Sequence, residues 1–212
     1  VIDRVQAQLE RIYGLELPVR IDEFLIDRDT CRRLTGDRAG SGALVVRDAE
    51  DDVQVGVYIG QDALSDWTGE GSLTAENFAA FCTVTEEVSH FAYFMWNAHR
   101  GRTVTQLELE LQAEVDKFVT SLLLLARQNR GLVPKAFFDR LFSDCDLRDG
   151  LDASQAERYR AASAFARAYC FVLVRRYVRP ARLRELLSEL RRFYRLSQRE
   201  KIGHIYWMVF AS

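Results

Sequence analysis

The sequence predicts an α+β fold: a short antiparallel hairpin, two long helices behind it, and a helical C-terminal third. Three observations carry this. Two runs rich in β-branched residues, 43–47 and 53–59, flank the acidic turn 48–52. After Gly69, Glu70 and Gly71, two long stretches with no breaker inside them run to Gly101 and to Gly131. From Lys135 onward the apolar spacing is helical nearly throughout.

Taken in order, Ile2, Val5, Leu9, Ile12 and Tyr13 recur at helical spacing and stop at Gly14, which makes an amphipathic opening helix. Residues 18–26 alternate partly, through Val19, Ile21, Phe24 and Ile26, and predict a strand; a short helix over 28–34 follows. In the second hairpin arm Val53, Val55, Val57 and Ile59 point one way and Gln54, Gly56 and Tyr58 the other, so one face is expected to be buried and one available. Ser72 or Thr74 can cap a helix reaching about His99, and Thr103 or Thr105 a second reaching about Asn129, before Gly131 and Pro134. Helices are expected over 136–142, 153–178 up to Pro180, and 181–196, with a final apolar segment over 202–210. The expected organisation is a core over 1–131 and a basic helical extension over 132–212 packed on it as one compact unit.

With 212 residues and 48% hydrophobic content, the chain can bury a generous core, which excludes a disordered chain. The longest apolar stretches, 121–126 and 168–174, fall far short of the roughly 20 residues that span a bilayer, so no membrane association is expected. The opening segment has no apolar signal core, and Cys31, Cys82, Cys145 and Cys170 form no CxxC pair; both point to a cytoplasmic chain with reduced structural thiols. The net charge of −2 hides an asymmetry: residues 151–212 hold 13 Arg or Lys against 5 Asp or Glu. Such a tail can pair with phosphate, or with the acidic first part of the same chain.

The chemical lead is Glu86, Glu87, Val88, Ser89, His90, followed one helix later by Glu108, Glu110 and Glu114. On a helix Glu86 and His90, four residues apart, face the same point, and Glu87 stands beside them. Phe81, Val84, Val88, Phe91 and Phe94 make this helix central, and carboxylates there need compensation. On the next helix Leu107, Leu111, Val115, Phe118 and Leu122 define a buried stripe with Glu114 close to it, so Glu114 is the preferred third ligand of a divalent cation and Glu110 the reserve. Lys117, Arg100 and Arg102 are alternative ionic partners for these carboxylates. His99 reads as a helix C-terminal dipole partner. His204, among Ile202, Ile205, Tyr206 and Trp207, reads as a core or interface histidine and as the one remaining candidate for a second imidazole ligand.

A hairpin, then a helix bearing Glu-Glu-Val-Ser-His, then a helix bearing a buried Glu resembles the zincin metallopeptidase core over about residues 43–125. Within that class, the run from Glu110 to Val119 resembles the third-ligand helix of the ImmA/IrrE-like peptidases. The resemblance implies Glu86 at the first ligand position, Glu87 as general base, His90 as second ligand and Glu114 as third, with a peptide or protein substrate along the hairpin edge. The family has His where this chain has Glu86. Two carboxylates and one imidazole neutralise a divalent charge, so a water at the site should be less acidified and hydrolysis weaker. The harder ligand set shifts preference from zinc toward manganese or iron. Tyr93 and the arginines over 191–199 are candidates to stabilise an oxyanion.

Two other readings compete. A di-iron carboxylate bundle would need Glu-x-x-His on two helices, and one copy exists. A catalytically inactive zincin-like scaffold would bind a protein or nucleic-acid partner through Arg175, Arg176, Arg179, Arg182 and Arg184 of the tail.

Overall fold

Gln6, on the first helix, reshapes the segment that follows. In the computed structural model, which describes residues 1–36, 40–49, 52–69, 72–134, 137–143 and 152–210, helix α1 (Ile2–Tyr13) ends at Gly14 in the left-handed region, φ 60°, as its glycine allows. The buried Gln6 side chain donates to Val19 O at 2.9 Å and accepts from Ile21 N–H at 2.9 Å. Those are backbone groups that a strand ladder would have used. Residues 18–26 therefore do not form the expected strand: Ile21–Phe24 is a 3₁₀ turn, and only Leu25 makes a single parallel bridge, to Val57.

Helix α2 (Arg28–Thr35) is capped by Asp27, whose carboxylate accepts from Thr30 N–H at 2.7 Å. Strands β1 (Gly42–Ala49) and β2 (Asp52–Ile59) then pair antiparallel from Gly42↔Ile59 to Ala49↔Asp52, a tighter hairpin than the expected turn over 48–52; Glu50 and Asp51 lie outside the described residues. Among the described residues no further strand joins the outer edge of β1. Gly60 N–H donates to Ser41 O at 2.8 Å, so these two residues form a hydrogen-bonded pair. By alternation, residues 42, 44 and 46 turn their backbone groups outward.

The face of β2 expected to be buried enters the main core at Val57 and Ile59. The face expected to be available is covered at Tyr58, which packs with Val45 and with Cys31 of α2 in a second small cluster. Val46 and Val53, toward the turn, are the exposed apolar residues of the hairpin.

The rest of the described chain is mostly helical, so helices rather than the sheet set the frame. The sequence pattern did not announce α3 (Gln61–Asp66). Helix α4 (Phe78–Ala98) begins later than the expected start near Ser72 or Thr74. There Thr74 N–H donates to the Asn77 side chain at 2.8 Å, and the pair closes a turn instead. Helix α5 (Gln106–Gln128) is capped by Thr105, which accepts from Glu108 N–H at 3.1 Å. Next come α6 (Phe137–Ser143), α7 (Ala153–Leu173), α8 (Leu183–Tyr194) and α9 (Gln198–Phe210). Beyond Leu173 helix α7 widens into a π turn over Val174–Val178, closed by Arg179 N–H on Val174 O at 2.9 Å.

Helix α4 lies at the centre, with α1, α3, α5 and the hairpin packed around it. Helix α5 is sandwiched between α4 and α7, and α8 returns to α1. Arg191 of α8 and Arg195, its C-cap, donate to the carbonyls of Arg11, Ile12, Tyr13 and Gly14 at 3.0–3.3 Å. These are the carbonyls that a helix end leaves unsatisfied, at the negative end of its dipole. Cys31, Cys82 and Cys170 are free thiols; Cys145 lies outside the described residues. Among the described residues no helix is long and apolar enough to cross a membrane.

Candidate metal centre

Helices α4 and α5 run antiparallel and are joined by four polar pairs: Glu86 with Lys117, Ser89 with Asp116, His90 with Glu110, and Tyr93 with Glu108. As the first number rises the second falls, which fixes the offset between the helices. Helical spacing puts Glu86 and His90 on the face of α4 that meets Glu110, Glu114 and Lys117, stacked along α5.

Glu86, His90 and Glu110 each offer one atom, and the three atoms lie within 4.8 Å of one another. Ligand atoms bonded to one ion at about 2.1 Å are at most about 4.2 Å apart, so small side-chain rotations would gather them. The residues fit such an ion chemically as well. His90 is 6% exposed, and its Nε2 has no hydrogen-bond partner; it lies 3.4 Å from Glu110 Oε2. Its Nδ1 lies 3.6 Å from Glu87 Oε2. An imidazole nitrogen buried beside carboxylates without a proper hydrogen bond is an open ligand position.

Glu114, the preferred third ligand, goes elsewhere: its Oε1 accepts from Lys117 Nζ at 2.7 Å, while Lys117 also reaches Glu86 Oε2 at 3.1 Å. Glu110, one turn earlier, is the α5 carboxylate brought to His90. Lys117 thus fills the ionic-partner role that the sequence also allowed. Burial opposes its charge, but Glu114 and Glu86 outweigh burial and hold its pKa well above the ordinary value. At His90 burial likewise works to lower the pKa, and the Glu110 and Glu87 carboxylates overcome it, raising it to about 10. Four carboxylates, Glu86, Glu87, Glu110 and Glu114, share this region with the Lys117 ammonium and the His90 imidazolium. The surplus of negative charge favours any cation that enters.

Glu87 is fully buried and stands against the start of the hairpin. A Cβ on residue 42 would lie 2.5 Å from Glu87 Cγ, so only glycine lets β1 come this close. The outer edge of β1 therefore begins beside the proposed base.

Of the other candidates, His99 is the C-cap residue of α4, and His204 contacts Glu189 on α8 rather than the trio. Tyr93 donates to Glu108 Oε1 at 2.5 Å, while Arg191 and Arg195 are spent on α1. None of these is turned to the metal-capable trio.

The sequence reading missed a second polar layer next to the site. Asp116 is fully buried and accepts from Ser89 Oγ at 2.6 Å, from Gln112 Nε2 at 2.8 Å and from the Tyr13 hydroxyl. Burial raises its pKa to about 6 against those hydrogen bonds. Gln112 in turn accepts from the fully buried Lys201 of α9. The available signal was the apolar run 121–126, which marks α5 as buried on all sides and so makes any polar residue on it a network member.

No protein-family profile matches the chain, and neither do curated proteins or solved structures. The chemistry of the site rests on its own geometry.

Proposed function

We propose that the chain is a zincin-like metal-dependent hydrolase of reduced or altered activity, acting on a peptide laid along β1. Glu86, His90 and Glu110 hold the ion and Glu87 is the general base. The observation that carries this reading is the buried His90 Nε2, without a hydrogen-bond partner and facing the Glu110 carboxylate. A divalent ion there supplies Lewis acidity toward a peptide carbonyl. Zinc is compatible with the ligand set, and manganese or iron fit its two carboxylates better.

The chain's own residues supply the rest. An extended peptide adds to the outward backbone groups of residues 44 and 46 by strand addition. This brings its carbonyl past Gly42 toward Glu87, whose carboxylate takes a proton from the attacking water and delivers it to the leaving amine. Tyr93, Arg191 and Arg195 are bonded elsewhere rather than turned to receive the oxyanion, which agrees with weak catalysis.

A second reading is favoured by Lys117. Its ammonium already bridges Glu86 and Glu114, as an internal cation would in a zincin-like frame retained as a binding scaffold. Metal content decides between the two. Protein purified without chelator and reconstituted with zinc, manganese or iron should hold near-stoichiometric metal that His90→Ala loses, and should cleave peptides only while Glu87 is intact, with Glu87→Gln as control. A folded wild type that stays empty after reconstitution removes the enzyme reading and leaves the scaffold.

A further inference from the structure

The arginines of the C-terminal helices divide into two groups. Arg176, Arg191 and Arg195 donate to backbone carbonyls of Met208, Ile12 and Tyr13. Arg160 and Arg167, one above the other along α7, form no ion pair or side-chain hydrogen bond among the described residues, and Arg175 contacts only the face of Phe171. All three line one cavity of about 680 Å³ between α6, α7 and the end of α9. That size lies within the range of sites for small organic ligands.

The walls of the cavity are apolar. Phe138 and Phe142 come from α6, Phe171 from α7 and Val209 from α9, while Ala164 and Ala168 keep part of its α7 lining shallow. Phe171, in that lining, is 49% exposed. Large apolar side chains left uncovered around a concave surface mark a binding site more often than a solvated face. Among the described residues of the lining the one acidic side chain is Asp139, against three guanidinium groups. A fully apolar occupant would leave those charges unanswered, and a free small anion would leave the aromatic walls wet.

We propose that this cavity binds an amphipathic anion, a molecule with an acyl-chain-like apolar body and a carboxylate head. It shares no residue with the Glu86–His90–Glu110 trio, so it stands whatever that trio does. The body lies on Phe138, Phe142 and Phe171, and the head is held by Arg160 and Arg167 in the bidentate geometry that guanidinium offers a carboxylate.

The test is calorimetric titration of the whole chain with dodecanoate, and with dodecanol as the uncharged match. Dodecanoate should bind once per chain in the micromolar range and dodecanol at least about tenfold more weakly, the loss of one charge-assisted contact. Arg160→Ala with Arg167→Ala, both exposed and without bonds to lose among the described residues, should reduce dodecanoate affinity by a similar factor. Ala168→Trp should block both ligands by filling the cavity. The proposal is overturned by any of three outcomes: no saturable binding up to about 1 mM, equal affinity for acid and alcohol, or dodecanoate binding that the double arginine variant leaves unchanged. A dimer in sedimentation analysis that Ala168→Trp dissociates would also overturn it, giving the face to a second copy of the chain.

Discussion

The ammonium of Lys201 lies 4.5 Å from the centre of the Tyr93 ring, with no part of the side chain reaching solvent. Phe193 and Tyr194 complete the box at 4.6 and 5.8 Å, and Gln112 accepts its hydrogen bond. Ring faces and one amide replace the water that an ammonium would otherwise hold. The replacement is incomplete: burial lowers the Lys201 pKa to about 7 in spite of Glu108 and Asp116 nearby.

Stability between pH 7 and 10 should consequently be a balance of two opposed groups in the metal-free protein. Lys201 is held below its unfolded value, so the fold gains as pH rises from about 7 toward the unfolded value of 10.5. His90 is held above its unfolded value, so its contribution is full below about 6.5 and is lost as pH rises to about 10. Asp116 titrates below this window, where its raised value favours the fold as pH falls from about 6 toward 3.8. Urea unfolding across pH 7 to 10 should be flatter for wild type than for Lys201→Met, which should lose stability with rising pH, or His90→Ala, which should gain it. Identical slopes in all three would contradict the assignment.

Lys117 should be the most costly single side chain to remove from the centre. Lys117→Met leaves Glu86 and Glu114 facing one another without their shared cation, and breaking a buried pair this way costs about 3–5 kcal/mol. If the centre accepts metal, manganese or zinc should restore more stability to this variant than it adds to wild type. Thermal shifts with and without metal give the comparison.

Glu110 and Glu114 should separate cleanly by metal affinity. Glu110→Ala removes a member of the trio and should weaken divalent-ion binding about tenfold or more, whereas Glu114→Ala acts through Lys117 and should weaken it less. Titration of the apo-protein with manganese measures both. The reverse order would move the ligand set along α5.

Gly42→Ala should disturb stability and site together. The added methyl meets Glu87 where neither the strand nor a fully buried side chain has room, an overpacking cost of about 1–3 kcal/mol. Denaturant midpoints should fall. Any peptidase activity should drop further than the stability loss explains, because the base is displaced.

Much of this fold was legible where one physical signal dominated. The hairpin, α1 with its Gly14 stop, and the two long helices follow from apolar period and breakers. What escaped was decided by single side chains acting at a distance. Gln6 converts a partly alternating segment into a 3₁₀ turn, and the Thr74–Asn77 pair delays α4. At the site, the helical spacing of Glu86, Glu87 and His90 was readable, but the choice between Glu110 and Glu114 was not. Both face α4 one turn apart, and their fates depend on the offset of two antiparallel helices, which no local pattern encodes. The Lys201 box joins α4, α5, α8 and α9 and was invisible for the same reason.

The clamp on the end of α1 also has a schedule. Arg191 reaches Ile12 across 179 positions of sequence. At about 5–20 residues per second, a ribosome needs on the order of ten to forty seconds between making the two. Throughout that interval the last carbonyls of α1 lack their guanidinium donors. The end of α1 is therefore among the last parts of the fold to close, and until Arg191 and Arg195 arrive only water can satisfy its carbonyls.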